Sequence, residues 1–209
     1  MADPAPASEL PLFPLQTVLF PGGLLSMTVF EARYLDLIAS CLREQRPFGV
    51  VALRAPLHAR PVAHKHSLPG DLETTGVVAE LIDVDSAQAG ILQVRCRGTE
   101  RFRLAAPRQQ ADGLWMACAT ALADDANVAP TAALLGTVKG LASAIATLKG
   151  QGAQPFLPPY RFDLAGWVAN RWCEILPIST TAKQRLMELG DPLMRLQLVD
   201  EYLRSKGVV

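Results

Sequence analysis

Leu10–Tyr34 reads LPLFPLQTVLFPGGLLSMTVFEARY and passes from extended chain through a Pro-Gly-Gly turn into a helix. Pro11 and Pro14 lack an N–H and push the residues before them towards extended geometry, so the opening reads as an edge or irregular strand. Pro21-Gly22-Gly23 is a turn, because proline presets φ at one corner and glycine accepts positive φ at the next. Leu24–Val29 then reads as a second short strand. Thr28 and Glu31 have the spacing of a capping box, which would start a helix. Phe30, Tyr34, Leu37, Ile38, Cys41 and Leu42 continue at helical spacing until Pro47. The stretch therefore predicts a strand–turn–strand–helix unit.

The same residues carry a resemblance. LPLFPLQTVLFPGGLL followed by FEARYLDLI resembles the start of the Lon N-terminal (substrate-binding) domain family. That family opens with Leu-Pro-Leu-Phe-Pro-Leu, then Val-Leu-Phe-Pro-Gly, then Phe-Glu-x-Arg-Tyr. It occurs in Lon proteases, in cereblon and as free-standing bacterial proteins lacking the ATPase and peptidase domains, and the chain resembles the last of these. Thr75–Glu80 is similar to the family's Gly-x-x-Ala-x-Ile segment and Gly98–Phe102 to its Gly-x-x-Arg-Phe strand. Leu176-Pro177 through Glu188 resembles its C-terminal helical portion. Ser86–Gly90 departs from the Asp-Gly turn that many members carry. The resemblance implies an α+β chain: a PUA-like, mostly antiparallel β-barrel with one inserted helix, followed by a C-terminal helical bundle.

The residues outside the opening stretch fit that plan. Phe48–Arg54 is a short β-branched run between prolines, which suits a buried strand. Gly76–Asp85 opens the regular part of the sheet. Leu92, Val94 and Cys96 alternate with Gln93, Arg95 and Arg97, and after Gly98 the alternation resumes with Phe102 and Leu104 on an adjoining strand. Asp112-Gly113 signals a hairpin returning through Leu114–Leu122. About six strands result, enough to close or nearly close a small barrel. From about Asp124 the period changes: Leu134, Val138, Leu141, Ile145 and Leu148 form a helical seam interrupted by Gly136 and Gly140. Asp163 is expected to cap a helix through Ile175, Ser179–Leu189 the next, and Asp191-Pro192 a last one buried through Leu193, Leu196, Val199 and Leu203. Residues 1–9 thus read as a flexible leader, 10–123 as the barrel and 124–209 as the helical part.

Composition narrows the function. Of 209 residues, 50% are hydrophobic and 19% charged, so the chain is globular. Lys plus Arg and Asp plus Glu are 20 each, which gives no global electrostatic attraction to nucleic acid or anionic membrane and little to oppose self-association. Cys41, Cys96, Cys118 and Cys173 lie far apart, as reduced thiols rather than a zinc or disulfide set. The N-terminus lacks the polarity of a secretory signal, and Pro and Gly interrupt every long apolar stretch. The expectation is a cytoplasmic protein with no membrane span.

No glycine is followed by lysine, so a phosphate-binding GxxxxGK[ST] loop is absent, as are HExxH and GxSxG. No catalytic, cofactor or metal residue is assigned. His58, His64 and His66 share a polar loop but lack further ligands at metal spacing. Asp71, Asp83 and Asp85 are the only carboxylates a hydrolase reading would have, and they scatter at turns. Arg95, Arg97, Arg101 and Arg103 form a basic stripe that would serve RNA phosphates, the alternative reading, or a solvated face with Glu80 and Glu100 as neighbours. For partner binding the candidates are Glu31, Arg33 and Tyr34 on the inserted helix, with a structural role set against each. Phe156 and Tyr160 join them as the aromatics expected to be exposed in a Pro/Gly loop. The resemblance implies a binding module for polypeptide substrates, or for a protease or chaperone, through an apolar surface where barrel and helices join.

Overall fold

The computed structural model describes residues 8–54 and 69–209. The chain divides into two compact units, Met1–Leu122 and Ala123–Val209. His58, His64 and His66 lie outside the described residues.

The first unit is a six-stranded sheet with one helix: β1 (Ser8–Leu15), β2 (Leu24–Val29), α1 (Ala32–Glu44), β3 (Phe48–Leu53), β4 (Leu72–Gln88), β5 (Ile91–Gln109) and β6 (Trp115–Ala121). The order is β2-β5-β4-β3-β1-β6, and β5 also pairs with β6. The pairings β5–β4–β3–β1–β6–β5 therefore form a closed circuit, with β2 attached outside it. Among the described residues only β1–β3 is parallel. Leu10, Leu12, Val51, Leu72, Phe102, Leu104 and Trp115 pack together as one core cluster. A second apolar layer packs Tyr34 of α1 onto Phe13, ring on ring at 4.1 Å, with Phe48 alongside.

The expectation of an edge or irregular strand at Leu10 is met locally, although β1 has a partner on each side along different halves. β1 pairs with β6 over Ser8–Leu12 and with β3 over Leu12–Leu15. Pro11 thus lies where only β6 is paired and Pro14 where only β3 is, so neither missing N–H interrupts a two-sided ladder. The two strands expected around Gly98 are one 19-residue strand, β5. Val94, Cys96, Phe102 and Leu104 keep one parity across the glycine, so no turn is needed. Gly98 instead admits the opening loop: a Cβ there would stand 2.4 Å from the Phe20 carbonyl oxygen, and the Gly98 N–H donates to Gly23 O at 2.9 Å. The capping box is also corrected. Thr28 belongs to β2, with its hydroxyl bonded to Gln93, and Glu31 is the N-cap residue without capping through its side chain.

The second unit holds α2 (Leu135–Gly150), α3 (Ala165–Ile175), α4 (Thr180–Glu188) and α5 (Pro192–Ser205). Leu134, Leu141 and Ile145 are buried as the seam predicts, and Trp172 of α3 donates its indole N–H to Thr137 O of α2 at 3.0 Å. Asp191 accepts the N–H groups of Leu193 and Met194, so the cap expected there forms, and Ser179, expected only as the start of its helix, accepts the Ala182 N–H. Asp163 does not cap α3. That helix starts at Ala165 behind Leu164, and Asp163 pairs with Arg161 instead. Among the described residues one helical run, Ala132–Gly150, is long and apolar enough to cross a bilayer by length and composition alone, a test that packed core helices also pass. Its hydropathy comes largely from Leu134, Leu135, Val138, Leu141, Ile145 and Leu148, and buried Thr137 bonds Trp172 of α3 and Asp200 of α5.

A buried arginine fastens this unit. Arg195 of α5, 1% exposed, bonds both Asp125 carboxylate oxygens (2.6 and 3.0 Å), Asn170 Oδ1 of α3 (3.0 Å), Leu186 O (2.8 Å) and Leu189 O. One guanidinium thereby ties four segments together, using the geometry that favours arginine for carboxylates.

Candidate functional site

At the start of α1 the chain turns out of β2 through Phe30, which is 67% exposed. Arg33 bonds Glu31 at 2.6 Å and reaches Gly113 O in the β5–β6 turn at 3.2 Å, where Gln109 also donates at 2.9 Å. Its guanidinium stands 4.8 Å from the centre of the Tyr34 ring. The structure thus brings Glu31, Arg33 and Tyr34 together, with the cluster fastening α1 to the hairpin. Tyr34 is buried against Phe13, and that burial pushes its hydroxyl pKa up despite Arg33. The Cys96 thiol, buried under β2 and α1, is pushed up to about 12, so it is protonated and inert at neutral pH.

Phe156 and Tyr160 lie in the second unit. The expectation that Phe156 is exposed is corrected: it is 3% exposed, edge-on to Trp167 of α3 at 6.4 Å. A Pro/Gly-rich loop hides its aromatic residue here because Trp167 supplies an apolar wall. Tyr160 is half-buried, 5.8 Å from Trp167, with Lys149 4.5 Å above its ring. Phe162 completes the group at 5.2 Å from Trp167. Phe162 and Trp167 were not singled out from the sequence as surface residues, although Tyr160-x-Phe162 was visible beside the prolines. Under this cluster Arg171 pairs with Glu174 at 2.8 Å, and burial pushes the Glu174 carboxyl up to about 8.

The arginine stripe is broken up by the fold. Arg97 pairs with Glu80 across the β4–β5 ladder at 2.9 Å, and Arg101 is buried, leaving Arg95 and Arg103 exposed. Arg101 turns inward beside a register slip between Val77 and Ala79.

These features define a class: a two-unit α+β fold that presents backbone edges and apolar patches. The family model described as the ATP-dependent protease La (LON) substrate-binding domain matches residues 9–205. The chain belongs to that family. The Lon protease of Paraburkholderia phytofirmans is 30% identical over 200 residues, covering 93% of this chain and 24% of its own length. Lon protease 2 of Myxococcus xanthus is 28% identical over 206 residues, with 94% and 24% covered. The chain thus spans about a quarter of the length of the curated relatives it matches. A Lon N-terminal domain protein from Xanthomonas campestris, solved by crystallography, superposes with a TM-score of 0.73 at 29% identity, covering 93% of this chain and 98% of that one. The N-terminal domain of a Mycobacterium avium complex Lon protease shares the fold, with a TM-score of 0.59 at 14% identity over 93% of this chain and 97% of that one.

Proposed function

We propose that the chain is a non-catalytic, cytoplasmic binding module that holds polypeptide segments on behalf of a separate protease or chaperone. The observation that carries this reading is the family match over residues 9–205, in a sequence with no nucleotide-binding loop and no hydrolase motif. The closed circuit of pairings supports reading the sheet unit as the small PUA-like barrel implied by the resemblance. Binding without chemistry needs exposed groups that a client can satisfy, and the chain offers open sheet edge, Phe30 and the half-buried Tyr160–Trp167 cluster.

The test is fluorescence anisotropy with labelled, reduced and carboxyamidomethylated α-lactalbumin, which cannot fold, against native α-lactalbumin as control. Saturable binding to the unfolded chain alone supports the reading. Binding to neither, with the module itself folded by circular dichroism, overturns it.

A further inference from the structure

The sheet of the first unit has an outer strand, β2, whose free side meets no strand among the described residues. β2 pairs with β5 over six consecutive positions, Leu24↔Arg97 to Val29↔Leu92, without a register slip. Among the described residues it pairs with no other strand. The Gly98 N–H donates to Gly23 O, which sets the phase of this ladder. Opposed residues alternate between hydrogen-bonded and non-bonded pairs, so Leu25, Met27 and Val29 exchange bonds with Cys96, Val94 and Leu92. Leu24, Ser26 and Thr28 then turn their N–H and C=O groups away from the sheet. Ser26 and Thr28 are exposed, and Leu25 and Met27 are half-buried.

Natural sheets guard such edges with charges, prolines, bulges or an overlying segment. Among the described residues the outer half of β4, Glu80–Gln88, is also unpaired on one side and is guarded in this way. It carries Glu80, Asp83 and Asp85, and its register slips between Leu81 and Asp83 and between Asp85 and Gln88. β2, LLSMTV, has no charge, no proline and no slip. The two margins belong to one sheet, so the contrast marks β2 as the one open to pairing.

We infer that β2 receives an extended polypeptide segment as an added strand. The outward N–H and C=O groups of Leu24, Ser26 and Thr28 bond the segment's backbone, which every sequence possesses. Side chains at alternate positions of the segment cover Leu25 and Met27, and Phe30 at the strand's end offers an apolar stop. The partner is therefore an uncharged extended stretch, apolar at every second residue. This rests on the polypeptide-binding reading above and assigns it a place and a mode.

The experiment follows amide hydrogen exchange by NMR on the full chain, with and without the same carboxyamidomethylated α-lactalbumin. The expected result is new protection at Leu24, Ser26 and Thr28 on binding. Ser26→Pro removes an outward donor while leaving the bonds to β5 in place, and should weaken binding by about tenfold or more. Binding without protection at these three amides overturns the inference while the functional reading stands, as does full affinity in a folded Ser26→Pro. Protection of the same amides without probe, growing with protein concentration, assigns the edge to a second copy and also overturns it. Absence of binding removes both. If Ser26→Pro fails to fold, the wild-type protection pattern alone decides.

Discussion

Removing the Asp125 carboxylate tests whether the Arg195 clasp holds the second unit together. Arg195 is 1% exposed, while the Asp125 side chain is 19% exposed. Breaking a buried pair by deleting one partner costs about 3–5 kcal/mol, because the remaining charge stays buried and uncompensated. Here Asn170, Leu186 O and Leu189 O continue to accept from Arg195, and water reaches the Asp125 side, so the lower end, about 3 kcal/mol, applies to Asp125→Ala. At tenfold per 1.4 kcal/mol, that is roughly a hundredfold faster amide exchange in α3 and α5 under conditions where opening is in pre-equilibrium. Hydrogen exchange with mass spectrometry gives the readout, and peptides from β1 and β6 serve as an internal control. Arg195→Met and the double variant complete a cycle whose coupling should reach about 1.5 kcal/mol. A cost below about 0.5 kcal/mol for Asp125→Ala, or additive single effects, would show that the clasp contributes only packing.

Two glycine substitutions should move stability in opposite directions. Gly76→Ala would set a Cβ 2.5 Å from Val50 O, where backbone cannot retreat, and should cost about 3 kcal/mol in urea unfolding, whereas Gly136→Ala meets nothing within 4 Å in α2 and should gain about 0.5–1 kcal/mol. Glu174 should give a pH signature. Burial raises its folded pKa to about 8 from 4.5, against the opposing charges of Arg171 and Lys183, so the native state holds the proton more tightly. Its contribution is then fully present below pH 4.5 and lost as pH rises towards 8, and wild type should lose stability relative to Glu174→Gln across that window in thermal scans at stepped pH. A difference that does not change with pH would refute it. Binding to structured RNA should be weak, with a slope of log K against log salt no steeper than about −2, as exposed Arg97 is already matched by Glu80 and Arg95 and Arg103 are the other exposed members of the stripe; a slope near −4 would reverse that reading.

The elements legible in the sequence were those whose signal is local. Alternating residues located the strands, and Ser179 and Asp191-Pro192 located two helix starts, because a cap acts within three residues. What escaped was set by partners far along the chain. Gly98 reads as a breaker until Phe20 is brought against it. Asp125 and Arg195 are 70 positions apart, and nothing in either neighbourhood announces the pair. Thr28 and Glu31 satisfied a local pattern, but the ladder to Gln93 claimed Thr28, and Arg33 claimed Glu31. The candidate residues divided on the same principle. Glu31, Arg33 and Tyr34 were candidates for partner binding with a fastening role set against it, and Arg33 takes the fastening role through Glu31 and Gly113 O. β2 was recognised as a strand from its apolar run, yet its open side became visible only when β5 occupied the other.

The two rival surfaces of the sheet differ in what they can recognise. A stripe of arginines would select phosphate, but Arg97 is matched by Glu80, Arg54 by Glu73 and Arg108 by Glu9. Each such surface pair contributes no more than about 1 kcal/mol to stability, yet together they cancel the field beyond a Debye length of about 8 Å. What remains is a sheet with little long-range preference for either sign of charge. Recognition of unfolded chains has the same requirement, since a client's net charge differs from one protein to the next while its backbone does not. An uncharged edge strand on a charge-balanced sheet discriminates extended chain from folded surface and ignores most side chains. A folded protein offers free backbone only at its own unguarded sheet edges. The proposed strand addition would therefore favour the unfolded state.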